Sequence, residues 1–408
     1  MKRHRWKTTF TSLLGIVILI YTTYGPIANE CSRILVDKDL KQIFREMSPR
    51  LTPGETQRPK DYEREALIAV LGKYGREIKD GKTVPAEYLL KMGNLYFSLG
   101  ESSEAEYYFE KGLQRAKEQK DELDEAVALA NLATLQVNKG SRDNLRQALD
   151  YANRALAIHR NKSMIVDQAN DLATIGEIRK RQGEYAYALR SFEEARRLYA
   201  QETKKEQAAN MAQAMGRVYG EMADNSSAVS FLNEARHEHK EARDQTGEAT
   251  DLFELGKIRW RMGDRKAAIR LFREARAIFA DKRSAEQESE TLSLLGRVYV
   301  ELGDYDQALN SLWKSQGMKK ESARATQAEN LFYMGHAYSE RGSPEAGIEY
   351  MQMALRICTQ TGNSELEARA LHHIGLASKK KGDTHTALQL FEDARLAHNR
   401  NNDKIGEA

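Results

Sequence analysis

Apolar residues recur along this chain at helical spacing, in blocks that repeat. Around Gly296 they fall at Leu292, Leu295 and Val298, and around Gly256 at Leu252, Leu255 and Ile258. Counted from the glycine these are positions −4, −1 and +2, which form one stripe on a helix of 3.6 residues per turn. A second glycine follows, as Gly263 and Gly303, where a left-handed residue can close the helix. The aspartate after it, as Asp264, Asp304 or Asp383, is placed to cap the next helix. That second helix carries alanine five and twelve residues past the second glycine and a large apolar residue at nine. Ala188, Phe192 and Ala195 show this, as do Ala268, Phe272 and Ala275, and Ala387, Phe391 and Ala394. Small residues let two helices approach closely, and the bulky one fills the space between them.

The unit recurs. GNLYFSLGE starts at Gly93, GEIRKRQGE at Gly176, GRVYGEMAD at Gly216 and GKIRWRMGD at Gly256. GRVYVELGD follows at Gly296, GHAYSERGS at Gly335 and GLASKKKGD at Gly375, with a degenerate ATLQVNKGS at Ala133. The step is 40 residues, with one of 39 and one of 43. A fixed period of this size means stacked structural repeats. Helix pairs are expected near 85–124, 125–167, 168–207, 208–247, 248–287, 288–326, 327–366 and 367–408. Residues 31–60 read as a linker, centred on LTPGETQRPK. Residues 61–84 read as an amphipathic capping helix, with Leu67, Val70, Leu71, Tyr74 and Ile78 on one side.

The order Leu295, Gly296, Tyr299, Gly303, Ala308 resembles the tetratricopeptide repeat in its extended, 40-residue form. The resemblance covers the eight units from Pro85 onward. It departs from the usual pattern in having leucine (Leu252, Leu292, Leu331) for the first-helix tryptophan and no proline closing the second helix. It implies an all-α, right-handed superhelical solenoid of about eight helix pairs. It also implies that the face of the first helices lines a concave groove for extended or helical peptides. Repeats of this extended type resemble those of bacterial peptide-responsive regulators and of sensor regions, so a regulatory part lacking its output domain is the alternative to a scaffold.

The amino terminus differs from the rest. MKRHRWK is basic, and residues 8–29 carry no charge, about the length that spans a bilayer. Basic residues before such a run stay cytoplasmic. Small residues suited to cleavage are badly placed around Pro26. Residues 1–30 are therefore expected to be an uncleaved signal anchor in a single-pass protein with its repeats on the non-cytoplasmic side. A secreted or periplasmic chain after cleavage is the alternative, and lipid attachment at Cys31 is a further one. At the other end, DKIGEA matches DQTGEA of residues 244–249, where a new first helix begins. Either a longer natural chain continues, or the last second helix leaves an apolar face around Leu388–Leu396 open for a partner or for self-association.

Composition narrows the function classes. A formal net charge of +3 gives no global polyanion-binding signature, so no nucleic-acid partner is expected. Two distant cysteines, Cys31 and Cys358, form no metal or disulfide framework. Neither His237 with His239 nor His372 with His373 has the i, i+4 spacing of a helical zinc site, so no metal or cofactor is expected. No P-loop, G-x-G-x-x-G or G-x-S-x-G is present, and an enzyme is not expected.

At about 100° per residue, positions −3, +1 and +4 point away from the buried stripe. Position +1 reads Arg217, Lys257, Arg297, His336 through four successive units, with Trp260 at +4 and Phe253 and Phe332 at −3. Aromatic and cationic side chains together on an accessible face are the makings of a binding hot spot. The expected peptide site is therefore Arg217, Phe253, Lys257, Trp260, Arg297, Phe332 and His336. Its expected partner carries an acidic segment, with the membrane as a second partner through the leader. The competing reading is a solvated face, with Trp260 packed on a neighbouring unit.

Overall fold

The structure is a computed structural model that describes residues 84–318 and 324–401. All sixteen regular elements among the described residues are α-helices. The leader, the linker, the capping helix and Cys31 lie outside the described residues. Among the described residues no helix is long and apolar enough to cross a membrane.

The chain divides into two compact units, one ending at Gly183 and the other starting at Glu184. The first contains α1 (Ala86–Ser98), α2 (Ser102–Gln119), α3 (Glu122–Lys139), α4 (Arg142–Asn161) and α5 (Ile165–Arg181). The second runs through α6 (Tyr185–Gln201), α7 (Lys205–Glu221), α8 (Asn225–Ala242), α9 (Gln245–Arg261), α10 (Arg265–Asp281) and α11 (Ala285–Leu302). It continues with α12 (Tyr305–Met318), α13 (Arg324–Glu340), α14 (Pro344–Thr361), α15 (Ser364–Lys380) and α16 (Thr384–Asn401). Within each unit every helix packs on its neighbours in sequence. The substantial contacts between alternate helices all join first helices, such as α11 with α13 and α13 with α15. First helices therefore stand closer together than second helices, which places them on the inner side of each unit.

The predicted stripe is buried: Leu252, Leu255 and Ile258 in α9, and Leu292, Leu295 and Val298 in α11. So are the predicted alanines, and Phe272 of α10 is fully enclosed. In six of the repeats the first glycine has a steric purpose, because an added Cβ would lie under 3.0 Å from the facing second helix. A Cβ on Gly256 would lie 2.6 Å from the Phe272 ring, so α9 and α10 meet at a distance only glycine allows. Asp264 accepts a hydrogen bond from the Ala267 amide at 3.0 Å, as a helix cap should.

Gly263 and Gly303 close their helices at φ of +82° and +76°. In the GRVYGEMAD copy this place is taken by Ala223, which adopts φ of +61°. A Cβ disfavours that conformation by about 1–2 kcal/mol, while glycine loses more entropy on folding. Ala223 is exposed, so Ala223→Gly alters little else. The substitution is expected to raise stability by about 0.5–1 kcal/mol, read as a higher urea midpoint. A lower midpoint would contradict the account of this turn.

Candidate functional site on the first helices

The predicted site residues lie on α7, α9, α11 and α13, and the structure gathers them into two clusters. In the first, Glu254 takes the Lys257 ammonium at 2.8 Å and approaches the Arg217 guanidinium at 3.8 Å. Lys257 also lies 5.4 Å from the centre of the Phe253 ring. These residues border a cleft of about 280 Å³, together with Thr250, Gln287 and Glu290. The second cluster is a stack. The Arg297 guanidinium sits 5.1 Å from the centre of the Trp260 ring and 5.0 Å from that of the Tyr333 ring. Arg369 continues the stack 5.6 Å from Tyr333 and 4.8 Å from Phe332. Cation–π contacts of this kind strengthen as they are desolvated, and this ladder ties α9, α11, α13 and α15 together.

The structure departs from the sequence pattern in two respects. The pattern places Phe253 and Phe332 on the accessible face, but they are only 8% and 1% exposed. For Phe332 the reason is the close approach of first helices. Position −3 turns into the seam between them, where Phe332 meets His373 of α15 edge-on at 5.2 Å. Phe253 is covered differently, packing toward the second helix of its own repeat against Phe272 of α10 at 5.8 Å. They form a floor beneath the polar surface. The cations, moreover, are not a line of open charges. Arg217 and Lys257 share Glu254, and Arg297 donates to Glu329 at 3.0 Å. Trp260 is held by its indole N–H, which donates to Glu301 at 3.0 Å. Arg265 of the following second helix bonds the same carboxylate at 2.8 Å. His336 has no such acid bonded to it among the described residues. Its ring stands 4.4 Å from that of His373, a neighbour the pattern of single positions did not bring forward.

Sequence reading also missed buried polar junctions. In the first unit His159 Nδ1 of α4 meets Asp171 Oδ2 of α5 at 2.6 Å. In the second, His239 Nδ1 of α8 meets Asp251 Oδ2 of α9 at the same 2.6 Å. Asp251 also accepts from Gln213 Nε2 at 2.7 Å, and His239 Nε2 faces Asn210 Oδ1 at 3.2 Å. Burial works against charge on this imidazole, but the hydrogen bond and charge of Asp251 outweigh it and hold His239 above its ordinary value. A third junction joins Asn330 to Ser315, whose hydroxyl accepts from the Asn330 amide at 3.0 Å. The available signal was an aspartate at position −5, beside the buried stripe, with a histidine twelve residues before it in two units.

Cys358 is buried in α14, and burial pushes its thiol up to about 11, which leaves it a protonated core residue. Among the described residues no three His, Cys, Asp or Glu side chains are grouped to hold a metal ion.

No curated protein matches the chain. Family models described as tetratricopeptide repeat match residues 248–320 and 326–395, and residues 86–119. Among solved structures, the apo form of the quorum sensor NprR from B. thuringiensis is similar with a TM-score of 0.59 at 12% identity, over 89% of this chain and 99% of that one. A Rap protein complexed with competence and sporulation factor is similar at 0.52 and 12% identity, over 89% of this chain and 98% of that one. The apo form of RapI is similar at 0.53 and 17% identity, over 68% and 99%. At these identities the likeness is one of fold. Tetratricopeptide repeats are thus detected at residues 86–119, 248–320 and 326–395, in a chain whose described residues form an all-helical repeat fold like those of NprR and the Rap proteins.

Proposed function

We propose that this protein is a non-enzymatic adaptor that binds a peptide or protein segment along the first helices of its second unit. The observation that carries this is the cleft bordered by Arg217, Thr250, Glu254, Lys257, Gln287 and Glu290 over the Phe253 floor. It offers donors and acceptors of both charges beside an apolar surface, which is what recognition of a polypeptide requires. An acidic residue of the partner would enter by taking Arg217 or Lys257 from Glu254. The similar structures support a second, related reading, that of a regulator that senses a ligand. One of them is a quorum sensor and another holds competence and sporulation factor. Under either reading the leader would attach the chain to a membrane, with the repeats on the far side from the cytoplasm. The exposed Leu388 and Leu396 of α16 would serve self-association.

The double substitution Arg217→Gln with Lys257→Gln tests the groove. It frees Glu254 and removes both cations while leaving the Trp260–Arg297 stack intact. Partners crosslinked to the native chain in its source cells are expected to disappear with the variant, and the helical circular dichroism is expected to be unchanged. Equal crosslinking of the same partners by both chains would sink the proposal.

A further inference from the structure

The ladder ends in a group of side chains that the proposed groove does not use. Arg369 of α15 donates from Nη2 to the Tyr333 hydroxyl at 3.0 Å and lies over Phe332 and Tyr333. Among the described residues no carboxylate is bonded to it. Arg217, Lys257 and Arg297 on the other first helices each face one. Next to it, one turn along α15, the His373 ring packs 4.4 Å from His336 of α13 and 5.7 Å from exposed His372. The carboxylate that acts on both imidazoles is Glu340 of α13, and it is already bonded to Lys380 at 2.6 Å. The second helices engage their acids elsewhere: Glu345 of α14 faces Lys381 and Glu392 of α16 holds Arg395. A half-buried guanidinium over an apolar floor, with imidazoles beside it and no anion, is an incomplete arrangement.

We propose that Arg369, His336 and His373 form a carboxylate-binding subsite in which docking of a peptide carboxylate is coupled to protonation of the imidazole pair. The proposal rests on the peptide-binding reading above and extends it to α13 and α15. Arg369 supplies the permanent charge and a planar set of donors suited to a carboxylate. Phe332 supplies the dry floor that strengthens the pairing. The imidazoles supply the proton coupling. Burial, and then the charges of His336, His372 and Arg369, push His373 down to about 4. His336 is also lowered by burial, with Glu340 opposing and Lys380 and Arg369 reinforcing the shift. Both rings are therefore neutral at neutral pH in the free chain. Burial is the larger cause of the depression, but an anion on Arg369 offsets that residue's share of it, so their affinity for a proton rises. By linkage, binding takes up a proton and tightens as pH falls.

The test uses the full chain with carbon-13-labelled histidine and two probes. One is a tetraglutamate peptide blocked at both ends, and the other is an acetylated tetra-alanine with a free carboxyl terminus. The first offers side-chain carboxylates and the second a terminal one. Resonances are assigned with His336→Gln and His373→Gln. His373 is expected to titrate near 4 in the free chain and to move up by about one pH unit when one of the probes saturates the site. Affinity for that probe is expected to rise about twofold from pH 7 to pH 5, the amount that a move of His373 from about 4 to about 5 supplies. Arg369→Gln is expected to raise the free-chain titration of His373 and abolish its response to either probe. His373→Gln is expected to keep binding at pH 7 and lose most of the pH dependence.

Failure of both probes to move His373 would overturn the subsite. So would an affinity equal at pH 5 and pH 7. Probe binding that leaves His373 unmoved overturns this inference while leaving the groove reading intact. Conversely, a responsive His373 with unchanged crosslinking by the Arg217→Gln, Lys257→Gln variant supports the subsite and removes the groove.

Discussion

Asp251→Ala is expected to destabilise the α8–α9 junction by about 3–5 kcal/mol, the usual result of removing one partner from a buried ion pair. The magnitude follows from what remains. His239 is 0% exposed, and its ring would keep only Asn210 Oδ1 at 3.2 Å and Asp244 Oδ2 at 3.8 Å. Gln213 loses its acceptor as well. Asp251→Asn, which preserves the shape, is expected to cost less, about 1–3 kcal/mol. The sign of the pH effect is also fixed. His239 has a folded value raised above its ordinary 6.5. The stability it contributes is therefore full below about 6.5 and is lost as pH rises through the raised value. Urea midpoints of the native chain and Asp251→Ala should be furthest apart near pH 6 and converge toward alkaline pH. A gap that widens with pH would refute the ion-pair account. Because a repeat array unfolds piecewise, hydrogen exchange should show the loss concentrated in α8 and α9.

Phe272→Ala is the second large effect, about 3–5 kcal/mol for an enclosed aromatic side chain. Phe272 fills the space that Gly256 leaves between α9 and α10, and it also packs on Phe253. Leu232 and Leu312 occupy the equivalent place against Gly216 and Gly296. Phe272→Leu is therefore expected to cost only about 1–1.5 kcal/mol. A cycle with Gly256→Ala tests the steric account. Alone, Gly256→Ala presses a methyl group into the Phe272 ring and should cost about 1–3 kcal/mol. In the Phe272→Ala background the same methyl group enters the cavity and should cost less or stabilise. Strict additivity would show that the two positions do not meet.

The helices were legible in the sequence because their determinants are local and repeated. The stripe at Leu252, Leu255 and Ile258, the cap at Asp264 and the glycine at 263 each act within one turn of chain, and each copy reinforces the others. The site was legible only in part, because its properties come from pairs of units. Helical geometry correctly put Trp260 and Arg297 on one side of their helices, but it held no information on how near the next first helix would come. That distance decides that Phe332 is floor and not surface, and that Glu254 and Glu329 neutralise cations on their neighbours. Arg369, six residues before Gly375, lay outside the three positions used to define the face. Histidine–aspartate pairs were passed over because their partners lie on different helices, where helical angle alone does not predict distance.

Near-copies stacked side by side face a problem of address: any second helix could dock on the wrong first helix with much the same apolar surface. The buried polar junctions answer it. If α8 docked on α11 in place of α9, His239 would face Thr291, the residue equivalent to Asp251, and its charge would be enclosed without a counter-ion. The other polar junction of the second unit joins Asn330 to Ser315 and not a histidine to an aspartate, so the two junctions carry different labels. A chain whose repeats were cut and rejoined in another order would keep every stripe, cap and glycine. It would still mispair at those junctions, and partially folded chains in which the labels disagree would be the ones that fail to close.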